Sequence, residues 1–215
     1  MKKLFATLGA VLAAGPALAH HPLGGAPMET FAHGVFSGIG HPVLGFDHLF
    51  FIALVGIAAI YTGRAMLAPA GFIGGMLIGT IMMSAGIALP AIETMIVGSL
   101  LILGYIVASG RALSLTPALA LFAIAGLFHG SAFGGTIAEQ EAAIGGGVMI
   151  GYLLGLGVTQ YLIALGAGWV AKNLWNATEA SAMPARLAGA VVGGMGVLLA
   201  MEQIEGAAFA ALGLG

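Results

Sequence analysis

Three side chains able to bind a metal ion, His41, Asp47 and His48, stand in the stretch His41-Pro42-Val43-Leu44-Gly45-Phe46-Asp47-His48, where a long apolar run begins. On one continuous helix, His41 and His48 face the same way and Asp47 lies about 100° round from His48, so the three can flank one small cavity. Imidazole with carboxylate is a donor set suited to nickel, cobalt or zinc and poorly suited to sodium or potassium. The alternative role for Asp47 is to orient an imidazole or to cap a neighbouring helix. An ionisable group that enters an apolar run is expensive unless it is paired or functional.

A second signal lies in Phe128-His129-Gly130-Ser131-Ala132-Phe133-Gly134, where His129 sits about four residues from the end of another apolar run and so reaches the depth of Asp47 and His48. Gly130 and Gly134 leave room there for an ion or for another helix. Glu93, just after Pro90, belongs to the same leaflet, either as a metal donor or simply as an acid favoured at a helix N-terminus. Thr159 and Gln160 lie deep in a later run and offer a second station on a path, or a bond between helices. His20, His21 and His33, with Glu139 and Glu141, are candidates for an entrance that gathers cations. Glu202 and Glu205 on the last run carry the same two readings, and Met82 and Met83 read as packing.

These residues need a bundle in lipid to hold them. The chain has 215 residues, 60% of them hydrophobic and 7% charged, too little polar surface for a soluble domain of this length. A net charge of −2 creates no field for nucleic acid. Cysteine is absent, which removes disulfides, thiolate metal sites and thiol nucleophiles. Residues 1–19 read as a cleaved signal peptide: Lys2 and Lys3, an apolar run from Leu4 to Ala14, Pro16, and the cleavage pattern Ala17-Leu18-Ala19. The remainder, 20–215, is expected to form one all-α domain.

At about 20 residues per passage, six membrane helices fit, near 43–61, 70–89, 91–109, 115–133, 143–169 and 187–206. Residues 20–40 read as a periplasmic segment packed back on the bundle. Pro42, Pro69, Pro90 and Pro117 each stand near a predicted helix start, where a missing N–H costs nothing. With the mature N-terminus outside, Arg64, Arg111, Lys172 and Arg186, all the basic residues after the leader, fall on the cytoplasmic side. That predicts a multi-pass protein of the bacterial inner membrane with both mature ends periplasmic. Glycines spaced by four, at Gly71, Gly75 and Gly79, at Gly147, Gly151 and Gly155, and at Gly189 and Gly193, predict close helix packing within the bundle or in a homo-oligomer.

Taken together, Ala19-His20, the run from His41 to Asp47-His48 followed by Val55-Gly56, Leu89-Pro90-x-x-Glu93 and Phe128-His129-Gly130 resemble the HupE/UreJ family of hydrogenase and urease accessory membrane proteins. The resemblance spans essentially the whole mature chain. It implies a secondary transporter or permease that takes nickel, or cobalt, into the cytoplasm as substrate, with no prosthetic group. It further implies key roles for His41, Asp47 and His48, with His129 from the later motif. Two stretches depart from the family pattern. Relatives commonly follow the His-Gly pair with another His and a nearby Glu, where this chain has Ser131 to Gly135 and a displaced Glu139, and they often carry a His near Gln160. The competing classes are an intramembrane zinc hydrolase, short of polar groups to position a substrate, and a metal sensor that binds without transport.

Overall fold

The computed structural model describes residues 27–138 and 145–213. The predicted leader, its cleavage site, His20, His21, Glu139 and Glu141 lie outside the described residues. Among those described, all regular structure is helical: α1 (Phe31–Leu44), α2 (Phe46–Ala59) continued by a 3-10 turn (Ile60–Thr62), α3 (Ala68–Ser84), α4 (Ile92–Ala108), α5 (Leu115–Ala138), α6 (Gly146–Asn173) and α7 (Met183–Ala211).

Three of these, α5 over Leu115–Gly135, α6 and α7, are each long and apolar enough to cross a membrane, and α1 with α2 makes a fourth if that bent pair is one passage. Of the six expected spans, the two at 70–89 and 91–109 correspond to the shorter apolar helices α3 and α4, with 17 residues each. At 1.5 Å per residue each is about 25 Å long, short of the roughly 30 Å of hydrocarbon. The expected 70–89 helix stops at Ser84 because Gly86, at φ 82°, lets its own N–H reach Met83 O and the N–H of Ile87 reach Met82 O. That pair of bonds closes the helix and satisfies its last carbonyls. Gly110, at φ 74°, ends α4 in the same way.

The largest departure is at the first motif. Residues 31–44, most of them expected to belong to a periplasmic segment outside the spans, form a helix whose N-cap Thr30 accepts the N–H of His33 at 3.1 Å. Pro42 lies inside the end of that helix and not at the start of the next. Its ring removes one backbone donor, and Gly45 then adopts an extended conformation (φ −86°, ψ 100°) before α2 begins. The two helices meet at a bend of 83°. His41 and His48 consequently occupy different helices, and the seven-residue spacing does not place them on one face.

Three close pairings build the bundle: α3 on α5, α1 on α6, and α4 on α7. Each is made by small residues. A Cβ at Gly79 would run into the Leu127 carbonyl, one at Gly38 into the Tyr152 carbonyl, and one at Gly104 would come within 2.6 Å of the Gly193 backbone. The predicted glycine stripes thus pack within a single chain, although Gly147 has open space around it. Apolar nearly all round, α2 buries Phe51, Ile52 and the whole of Leu54–Ala59, as a helix at the centre of a bundle must.

Candidate metal-handling site

The centre of the bundle is organised around His129, which is completely buried on α5. Gly126 and Gly130, one on each side of it in sequence, seat α5 directly on the α3 backbone at Phe72 and Met76. Thr80 reinforces that contact by donating its hydroxyl to Met76 O and Gly130 O. The His129 ring stacks on Phe51 with centroids 4.6 Å apart and 17° between planes, and Phe72 meets its edge at 5.7 Å. Both ring nitrogens are engaged: Nδ1 lies 2.9 Å from His48 Nδ1, and Nε2 lies 2.9 Å from Ser99 Oγ on α4.

From His48 the chain of polar contacts continues outward. Its Nε2 stands 3.7 Å from Asp47 Oδ2, and the two side chains are 14% and 34% exposed, so the carboxylate is the end open to the surroundings. Asp47 lies in the first turn of α2, where the helix dipole favours an acid. The bend at Gly45 makes this arrangement possible, because it starts a new helix at Phe46, one residue before Asp47.

His41 joins the site through an aromatic ring. The Phe133 ring is 4.7 Å from His41 and 4.5 Å from His48, centroid to centroid. His41 is itself buried, with Nδ1 2.9 Å from the Tyr152 hydroxyl of α6. Among the described residues, no group of three or more His, Asp or Glu side chains lies close enough to hold one metal ion. At the centre, the two imidazole nitrogens 2.9 Å apart share a proton, and that bond must break before both nitrogens can face one ion.

The other predicted residues lie elsewhere. Glu93 is exposed in the first turn of α4. It lines a cavity of about 390 Å³ with Met83, Thr94, Ser131 and Gly135, and no histidine among the described residues lines it. His33 accepts the Glu29 N–H at 3.3 Å at the start of α1. Thr159 is half-buried, and Glu202 and Glu205 are exposed on α7. Gln160 is completely buried near the middle of α6, and neither its amide oxygen nor its nitrogen has a hydrogen-bond partner. Leaving such a group unsatisfied costs about 1–3 kcal/mol.

Ser99, Tyr152 and Phe133 were not singled out from the sequence. The Ser99 hydroxyl in the apolar run Met95 to Leu103, and a tyrosine next to Gly151, were the available signals, since polar groups in such helices bond across them.

Comparison with known proteins gives one consistent answer. The family model described as HupE / UreJ protein matches residues 8–199. Protein HupE of Rhizobium leguminosarum bv. viciae is 32% identical over 200 residues, which cover 92% of this chain and 96% of that protein. No solved structure matches the chain.

Proposed function

Because the chain belongs to the HupE/UreJ family, we propose that it is a permease of the bacterial inner membrane that carries nickel, or cobalt, from periplasm to cytoplasm. The observation that carries this reading is the contact chain Asp47–His48–His129, which runs from a partly exposed carboxylate to a fully buried imidazole inside an apolar bundle. Asp47 and His48 are the first donors offered to the ion. His41, which reaches His48 across the Phe133 ring, and His129 join as the ion displaces the hydrogen bonds that now hold them. Glu93 attracts the ion at the rim.

The path continues at Gln160. Leu156 and Ala164, one turn above and below it on α6, are fully buried, and Ala164 packs on Gly56 of α2. An amide oxygen and the neighbouring Thr159 hydroxyl bind nickel more weakly than imidazole does, which suits release towards the cytoplasm.

Six alternating passages, with α1–α2 as the first, agree with the sense of each helix pair. α1 and α6 run in the same direction, α3 and α5 do too, and α4 and α7 oppose each other. The basic residues support the orientation. Arg186 Nε donates to Ala108 O at 2.9 Å, and the Tyr61 hydroxyl donates to Ala177 O at 2.9 Å. These bonds gather the segments bearing Arg64, Arg111, Lys172 and Arg186 at one end, the end that retained positive charge marks as cytoplasmic.

Radioactive nickel accumulation in right-side-out and inside-out membrane vesicles tests the proposal. Uptake in right-side-out vesicles that depends on the protein is expected. Nickel binding without accumulation in either preparation would make the protein a sensor and overturn the permease reading.

A further inference from the structure

The hydrogen bonds behind His48 have a direction. The Ser99 hydroxyl lies 2.6 Å from the Ile96 carbonyl, and a carbonyl can only accept, so the single hydroxyl proton is committed there. The Ser99 oxygen is then an acceptor towards His129, and the 2.9 Å contact requires the proton on His129 Nε2. A neutral imidazole carries one N–H, so His129 Nδ1 is an acceptor and His48 Nδ1 must donate to it across 2.9 Å. In neutral His48 the lone pair is therefore on Nε2, the nitrogen that faces Asp47.

We propose that Ser99 is a positioning residue that fixes the tautomers of His129 and His48, so that His48 presents its metal-binding nitrogen, Nε2, beside the Asp47 carboxylate. Histidines that bind metals commonly donate their other ring N–H to a fixed acceptor, which sets the ring's orientation and raises its basicity. Here the acceptor is a second histidine, held in turn by Ser99. His129 has two roles in sequence: orienting His48 before the ion arrives, and joining the ion only after its bond to His48 breaks. The burial of Ser99, 6% exposed, and of His129 keeps water from supplying a competing donor.

This inference rests on the permease reading only in taking Asp47 and His48 as the first donors. Its test is ¹⁵N NMR of histidine-labelled protein in lipid, with nickel titrated into the same samples. The expected result is a proton on Nδ1 of His48 and on Nε2 of His129 in the wild type. Ser99→Ala should lose the single tautomer at His129 and weaken nickel binding about 10–100-fold, and Ser99→Thr, which keeps the hydroxyl, should restore both. A wild-type proton on His129 Nδ1 would mean the chain runs the other way and would overturn the proposal. Unchanged tautomers and affinity in Ser99→Ala would overturn it as well. Assigned tautomers in a wild type that binds no nickel would sustain the role of Ser99 and contradict the permease site.

Discussion

His48 and His129 meet Nδ1 to Nδ1 at 2.9 Å, joining stretches 81 residues apart in sequence. Breaking the contact from either side should stop nickel uptake, with different effects on the fold. His48 is partly exposed, so His48→Ala should leave abundance in the membrane near normal. His129 is fully buried against Phe51, and His129→Ala leaves a void and a buried Ser99 hydroxyl short of a partner. It should lower stability by about 1–3 kcal/mol, read as an earlier thermal transition in detergent than that of His48→Ala.

Gln160 separates stability from function. Replacing its unpartnered amide by an apolar side chain removes a buried unsatisfied group, so Gln160→Leu should melt later than the wild type, by the equivalent of about 1–3 kcal/mol. The same change should block uptake while nickel still binds at Asp47 and His48. Gln160→His should hold nickel more tightly and slow its release. Normal uptake in Gln160→Leu would remove Gln160 from the path.

The helix pairings predict which glycines tolerate a side chain. Gly79 rests on the Leu127 carbonyl, whereas Gly74, on the same helix, has open space around it. Gly79→Val should sharply reduce the folded protein recovered, at a cost of about 1–3 kcal/mol or more, and Gly74→Val should be near neutral. Fluorescence-detected size-exclusion profiles of the two variants compare them directly.

Topology can be read with a reporter active only outside the cytoplasm. Fusions after Gly86 and Gly145 should be active, and those after Arg64, Arg111 and Asn176 inactive. Activity at Arg64 would reverse the orientation.

Much of the helical order was legible because apolar runs are punctuated by prolines: Pro69 opens α3, and Pro117 stands in the first turn of α5. The nearness of His129 to His48 was also legible, through their places in apolar runs, and the two side chains are in contact. The first helix was not. Residues 31–44 do carry Phe31, Val35, Phe36, Ile39 and Val43 at helical spacing, but the glycines, histidines and proline among them made the stretch read as too mixed to span, and the fit of Gly34 and Gly38 against the α6 backbone is a tertiary contact that the sequence does not display. The break at Gly45 was hidden for the same reason, since Pro42 near an apolar run reads equally as a helix start. Spacing on an assumed single helix therefore joined His41 to His48 directly, where the folded chain joins them through Phe133.

The most direct measurement is uptake of radioactive nickel by cells expressing Asp47→Asn and His48→Ala beside wild type and Glu202→Gln, with the amount of each protein in the membrane determined in parallel. Loss of uptake in the first two at near-normal abundance, with Glu202→Gln at wild-type rate, is the predicted result. Wild-type uptake in both Asp47→Asn and His48→Ala would show that the ion does not enter through this pair and would contradict the assignment of the site.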